Sequence, residues 1–300
     1  MLYENMHDLI GHTPLVRLNN MGVSPDVHIY AKLEMYNPSG SVKDRIGEYM
    51  VRAAEQEGKL KKGGTIIEAT AGNTGLGIAF AALGRGYRVI FTVPTKFSAE
   101  KQALMRALGA EVINTPRADG MLGAVKKADE LKAEIPDSIS LEQFKNPNNP
   151  LAHYEGTGKE IFEDLNGEID YLVAGAGSGG TYTGIVRYLK EHGETQGVLA
   201  DPEGSTIGGG EHFDYNIEGI GNDFIPDTMD ITLVDKVIKV NDDEAFSTVR
   251  DLARNEGIIA GSSSGAAVAA ALKLAKTIEK GNIVVVLPDR GDRYFSTGLW

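Results

Sequence analysis

Four segments of the chain set reactive or ligand-binding side chains among glycines, each where a helical pattern begins. The first is Asn37–Arg45, NPSGSVKDR, in which Pro38 and Gly40 shape a turn and Ser39 or Ser41 can cap the helix that follows. Lys43 then falls in the first helical turn, where the helix dipole favours anions and an ammonium is poorly placed. Sheltered from water, the amine is driven toward its neutral form, which a Schiff-base lysine needs. Solvated and paired with Asp44 or Glu48 it is an ordinary surface charge, and this segment alone requires no more than that. The second segment is Glu68–Gly77, EATAGNTGLG. Thr70, Asn73 and Thr74 offer hydroxyl and amide groups, Gly72 and Gly75 permit close backbone approach, and the helix N-terminus beyond suits a carboxylate. The third, Gly175–Thr181 (GAGSGGT), exposes successive backbone N–H groups ahead of a helix, as a phosphate site does. Gly175, Gly177 and Gly180 also match G-x-G-x-x-G, but beyond the chain midpoint and with no Walker lysine after them, so an anion fits better than a dinucleotide or a nucleoside triphosphate. The fourth, Ala260–Gly265 (AGSSSG), places three serines at a helix start; either all are plain caps or one hydroxyl meets a ligand.

The elements that must position these loops alternate along the chain. β-Branched runs at Thr65–Thr70, Tyr87–Val93, Glu111–Asn114, Asp170–Ala174 and Asn282–Leu287 predict buried strands. Helical spacing marks Val42–Gly58, Ser98–Leu108, Met121–Leu131, Leu151–Leu165, Thr181–Leu189, Asp243–Asn255 and Ser264–Ile278. Strand–helix alternation implies an α/β fold with mostly parallel sheet covered by helices, and ligands in such sheets sit beyond the strand carboxyl ends. The prolines and asparagines of Lys145–Pro150 (KNPNNP) suggest a crossover between domains, and Asp201–Asp230 is a long irregular stretch of the functional or mobile kind.

Composition narrows the partners. The 300 residues carry 30 Lys+Arg against 42 Asp+Glu, a net charge of −12, which disfavours nucleic acid and anionic membrane surfaces. Cysteine is absent, which removes disulfides, thiolate metal sites and a cysteine nucleophile and fits a cytoplasmic location. No apolar run approaches a membrane span and the N-terminus lacks a signal-peptide pattern. The six histidines form no HExxH or other close metal-ligand pair, so no metal is expected. His153, beside Tyr154, reads as packing or capping rather than as a base.

A lysine, an asparagine loop, a phosphate cradle and a serine cluster are the groups pyridoxal phosphate requires. In order and spacing, from IGHTPLVRL (Ile10–Leu18) to LPDRGDRYFST (Leu287–Thr297), the chain resembles the cysteine synthase and cystathionine β-synthase family of fold-type II pyridoxal-phosphate enzymes. The resemblance implies two three-layer α/β/α domains with mostly parallel sheets. It makes 34–145 a smaller, mobile domain that closes on substrate, and 1–33 plus 146–300 the larger phosphate-binding domain. It assigns Lys43 as the catalytic Schiff-base lysine and proton carrier, Asn73 to the ring hydroxyl oxygen, and Gly177, Ser178, Gly179, Gly180 and Thr181 to the phosphate. Ser263 would meet the ring nitrogen. Thr70, Ala71, Gly72, Asn73, Thr74 and Gln143 would bind the substrate carboxylate, with Gly219 and Asp223 also at the substrate. The implied reaction is β-replacement on O-acetylserine, serine or cysteine by a sulfur nucleophile through an aminoacrylate. A homodimer is implied as well.

Departures from the cysteine synthase pattern bear on the nucleophile. TAGN stands where TSGN is usual, so Ala71 removes a hydroxyl near the substrate, and Ser178 stands where threonine is usual. In GIGNDFIP (Gly219–Pro226) the Asn222–Asp223 pair looks more like the cystathionine β-synthase branch, where cysteine synthases tend to have small residues. Asp223 is then placed to receive the amino group of homocysteine or to activate water; its plainer reading is a carboxylate that braces the loop. The expectation is a cystathionine β-synthase type enzyme, with cysteine synthase or a hydrogen-sulfide-releasing lyase as alternatives. Since Trp300 follows soon after the last motif, neither haem binding nor S-adenosylmethionine control is expected. Three rivals stand: a non-catalytic sensor on the same fold, a serine or threonine dehydratase, and a nicotinamide-dependent oxidoreductase using Glu194 as its ribose partner.

Overall fold

The computed structural model describes residues 2–300, less the side chain of Ser296. In chain order the strands are β1 (Leu15–Leu18), β2 (Val27–Leu33), β3 (Thr65–Ala69), β4 (Arg88–Pro94), β5 (Glu111–Thr115), β6 (Ser138–Ile139), β7 (Tyr171–Gly175), β8 (Gln196–Pro202), β9 (Lys236–Val240) and β10 (Gly281–Leu287). The helices are α1 (Lys43–Gln56), α2 (Asn73–Ala82), α3 (Ala99–Ala107), α4 (Gly120–Glu134), α5 (Asn148–Ala152), α6 (Lys159–Asp164), α7 (Gly180–His192), α8 (Asp242–Asp251) and α9 (Ser262–Ala275). They divide into two compact units, Met1–Ile10 with Lys43–Asn148 and Gly11–Val42 with Asn149–Trp300.

The smaller unit holds a four-stranded sheet in the order β5-β4-β3-β6, parallel throughout. Ile67 of β3 and Ile90 of β4 are register partners and pack with Ala128 and Leu131 of α4 on one face. The period of two turns Ile66 and Phe91, both fully buried, to the other face. Helix α1 buries Ile46, Met50, Val51 and Ala54 along one stripe and stops near Gly58, whose φ of +69° is left-handed. It packs on α2 backbone to backbone: a Cβ on Gly77 would lie 2.2 Å from the carbonyl oxygen of Lys43. Only glycine allows that approach, and it sets the start of α1 one helical turn from Asn73.

The larger unit holds six strands in the order β1-β2-β10-β7-β8-β9, with β1 antiparallel and the rest parallel. Alternate residues of the central strands enter two cores. Val173, Val198, Ala200, Ile283 and Val285 pack under the alanine-rich α9, while Leu172, Leu199, Val284 and Val286 pack with Tyr182, Ile185 and Leu189 of α7. That is helix–sheet–helix layering, and burial on both faces explains the near-continuous apolar runs of β7 and β10.

The unit boundaries depart from the expected 33/34 and 145/146 divisions. Residues at the N-terminus go with the smaller unit, because the His7 ring bonds Glu48 and the Leu83 carbonyl, both at 3.2 Å. The Ser39–Val42 strip goes with the larger unit, where Val42 N–H donates to Pro288 O at 2.8 Å. The second crossing falls between Asn148 and Asn149, inside KNPNNP. The expected Leu151–Leu165 helix is interrupted by a π-helical turn at His153–Gly158, and α8 ends in a second one at Leu252–Glu256. Five strands escape the β-branched pattern: β1, β2, β6, β8 and β9. No helix among the described residues is long and apolar enough to cross a membrane.

Candidate functional site

In the smaller unit, Lys43 is the first residue of α1 and is half-buried. The strip leading to it is fixed by the LPDRGDRYFST stretch: the Arg293 guanidinium donates to Ser39 O and Arg290 N–H donates to Gly40 O at 3.3 Å. Glu48, one of the two partners that an ordinary surface lysine would take here, is engaged by Arg85 and His7. The other, Asp44, is fully buried.

The asparagine loop follows β3. Gly72 is the N-cap of α2 and no side chain caps that helix, while Gly75 N–H turns back to Gly72 O at 3.1 Å; a helix start of this kind suits an anion. Thr74 Oγ1 donates to Gln143 Oε1 at 2.6 Å, which brings two of the expected carboxylate-binding residues together. The turn carrying Gln143 is held by Glu68 of β3, whose carboxylate accepts from Leu141 N–H at 2.9 Å and Glu142 N–H at 3.5 Å. Burial pushes the Glu68 carboxyl up to about 7, although both backbone bonds oppose the rise. Lys43, Thr70, Ala71, Gly72, Asn73, Thr74 and Gln143 therefore all belong to one unit.

In the larger unit, the loop from Gly175 to Gly180 joins β7 to α7. Gly179 is left-handed at φ +84° and α7 has no side-chain cap. Asn149 supports the loop from below, its Nδ2 donating to Ser178 Oγ at 2.9 Å. A Cβ on Gly180 would lie 2.0 Å from Asn149 Oδ1, so the rear of the cradle is filled by protein. The His153 ring lies within hydrogen-bond distance of Thr157 Oγ1 (2.9 Å) and Thr181 Oγ1 (3.1 Å). It is thus a buried support of the loop, carried on the π-helical turn His153–Gly158. Thr228 Oγ1 donates to Ser178 O, and Gly221 N–H to Ala176 O at 2.7 Å.

The three serines at the start of α9 divide their work. Ser262 Oγ accepts from Glu218 N–H at 2.9 Å, while Ser264 Oγ is buried with no hydrogen-bond partner among the described residues. The helix has no side-chain cap, so capping does not consume the Ser263 hydroxyl. Asp289 accepts from Tyr294 OH at 2.5 Å and its carbonyl from Gly261 N–H at 3.1 Å, tying the C-terminal stretch to this helix start. Burial first, then Asp289, raises the Tyr294 hydroxyl well above its ordinary range, so it stays a donor. Asp223 is exposed and makes no hydrogen bond or ion pair among the described residues; after burial and Asp201, its charge helps to raise the Tyr215 hydroxyl above its ordinary range. Glu194 is exposed in the turn before β8, at the wrong end of a strand for a ribose partner.

Residues 6–289 match the model of the family described as "Pyridoxal-phosphate dependent enzyme". The chain belongs to that family. It is 51% identical to the O-acetylserine dependent cystathionine beta-synthase of Bacillus subtilis, over 98% of this chain and 96% of that protein. It is 47% identical to cysteine synthase A of Escherichia coli, over 100% of this chain and 96% of that one. The solved O-acetylserine dependent cystathionine beta-synthase of Helicobacter pylori superposes with a TM-score of 0.95 at 45% identity, over 100% of this chain and 99% of that chain. The protein is therefore a pyridoxal-phosphate-dependent enzyme, and its residues fit the cofactor. The uncapped N-terminus of α7, behind a glycine loop whose rear is filled by Asn149 and Met229, suits a phosphate, and the hydroxyl-bearing N-terminus of α9 suits a ring nitrogen.

Proposed function

We propose that the enzyme catalyses β-replacement on O-acetylserine with homocysteine as the sulfur nucleophile, giving cystathionine. The observation that carries the choice of nucleophile is Asp223, an exposed carboxylate with no hydrogen bond or ion pair among the described residues, next to Asn222 within the strip that touches the 175–180 loop. Sulfide has no amino group for such a carboxylate to receive; homocysteine has one. The relatives named for this reaction in two bacteria support the same reading.

When bound, pyridoxal phosphate supplies the electron sink that makes the α-proton of an amino acid removable. In this reading Lys43 Nζ would hold the cofactor and would carry the α-proton of the substrate. Gly177, Ser178, Gly179, Gly180 and Thr181 hold the phosphate through backbone N–H groups and two hydroxyls. Asn73 bonds the ring hydroxyl oxygen. Ser263 meets the ring nitrogen with a neutral hydroxyl, which stabilises less carbanion character than a carboxylate would and so favours loss of the β-substituent over transamination. Thr70, Ala71, Gly72 and Thr74, with Gln143, bind the carboxylate at the N-terminus of α2. Gly219 and Asp223 serve the second substrate, Asp223 taking its ammonium group as a charge-assisted partner.

The test is a competition. With O-acetylserine and equal concentrations of homocysteine and sulfide, mass spectrometry of the products should find cystathionine in excess. Cysteine as the sole product would overturn the homocysteine assignment and leave cysteine synthase. A homodimer in the cytoplasm belongs to the same proposal, and sedimentation of the pure protein checks the dimer.

A further inference from the structure

Three successive carbonyls of the phosphate loop are tied to one strip of the long segment after β8. Ala176 O accepts from Gly221 N–H at 2.7 Å, Gly177 O from Asn222 Nδ2 at 2.6 Å, and Ser178 O from the Thr228 hydroxyl. A trans peptide is planar, so its C=O and the next N–H point in opposite directions. No cis bond occurs among the described residues. Fixing those three carbonyls toward the strip turns the N–H groups of Gly177, Ser178 and Gly179 away from it.

Of the three anchors, Asn222 also fixes the backbone that leads to Asp223. Its N–H donates to Ser205 Oγ at 3.2 Å and its carbonyl accepts from Thr206 N–H at 2.8 Å. The Ser205 turn is pinned in turn by Lys239, whose ammonium bonds Ser205 O at 2.7 Å and the buried Asp201 carboxylate at 2.6 Å. Asn222 is therefore braced from the sheet on one side and holds the loop on the other. A residue with no side-chain donor at 222 could not bond Gly177 O.

We infer that Asn222 is a positioning residue that couples the phosphate cradle to the nucleophile-binding strip. It presents the Ser178 N–H to the cofactor phosphate by holding the Gly177 carbonyl, and it fixes the point from which Asp223 projects. The inference rests on the proposed roles of the 177–181 loop and of Asp223. It touches neither substrate nor cofactor directly, so its signature differs from that of a catalytic group.

The experiment compares wild-type holoenzyme with Asn222→Ala and Thr228→Val by the ³¹P resonance of the bound cofactor, by the cofactor dissociation constant, and by KM for each substrate. Losing one hydrogen bond of this kind corresponds to a change of about 2- to 12-fold in affinity. Asn222→Ala should shift the ³¹P resonance and raise the cofactor dissociation constant by that factor. KM for homocysteine should rise while the half-reaction with O-acetylserine stays within about twofold. Thr228→Val, which removes an anchor remote from Asp223, should move the ³¹P resonance and the cofactor affinity but not KM for homocysteine. It keeps the phosphate arm measurable if Asn222→Ala folds poorly. A loaded wild type beside an Asn222→Ala protein with unchanged resonance and affinity overturns this inference alone. A wild type that takes up no cofactor overturns the reading beneath it as well.

Discussion

Replacing Glu68 by glutamine removes a carboxylate that β3 carries into the interior just before the asparagine loop. Its side chain is 7% exposed and holds the Leu141–Glu142 turn, which in turn presents Gln143 to Thr74. Burial is the main cause of its raised pKa, from an ordinary 4.5 to about 7. The folded protein therefore binds this proton more tightly than the unfolded chain does. Stability from this group is intact below pH 4.5 and is lost as pH rises toward 7. At 1.36 kcal/mol per pH unit between those two values, ionising Glu68 withdraws about 3 kcal/mol from the fold. Glutamine cannot ionise and keeps an oxygen for Leu141 N–H. Denaturant unfolding of both proteins from pH 4 to 8 isolates the effect, because every other titrating group contributes equally to both curves. The variant should gain on the wild type by about 3 kcal/mol across that range, most of it below pH 7. A difference that stays constant from pH 4 to 8 would refute the reasoning and mean that water or a cation already compensates the buried charge.

Two further outcomes follow from the site. Gly180→Ala puts a Cβ 2.0 Å from Asn149 Oδ1, so Asn149 must withdraw from Ser178; cofactor affinity should fall at least about tenfold and stability by about 1–3 kcal/mol, read by cofactor titration and thermal melting. Asp223→Ala should lower kcat/KM for homocysteine by at least about tenfold more than for sulfide, the scale of a lost charge-assisted bond. Equal losses with both nucleophiles would make Asp223 a structural residue.

The loops were legible because their chemistry is local: glycines that clear a path for backbone N–H groups, and hydroxyls at helix starts. Strands β7 and β10 were legible because burial on both faces writes an unbroken apolar run. Strand β2, VHIYAKL, hides behind His28 and Lys32; the latter is fully buried only because Thr13 O and Glu160 receive its ammonium, partners far off in sequence. Strand β9, KVIKV, lies at a sheet edge, where lysines are tolerated. The supports of the phosphate loop were illegible for a like reason. Asn149 read as punctuation in KNPNNP and His153 as packing, since nothing local reveals that their side chains reach Ser178 and Thr181. The irregular stretch from Asp201 to Asp230 could be flagged by its glycines, but its bonds to Ala176 and Gly177 exist only in the fold. The grouping of the N-terminal residues with the smaller unit goes with contacts such as His7–Glu48, which no spacing encodes.

Covalent binding of pyridoxal phosphate by Lys43, and exchange of a β-substituent for a thiol by the loaded enzyme, are proposals that one experiment tests together. The most direct measurement is the visible absorption spectrum of the purified protein, recorded beside Lys43→Ala, with O-acetylserine and then homocysteine added to the same cuvette. The wild type should show a Schiff-base band that shifts with O-acetylserine and returns with homocysteine, and Lys43→Ala should show no such band. A wild-type protein without a visible band after addition of pyridoxal phosphate, or a Lys43→Ala protein with full activity, would contradict these proposals.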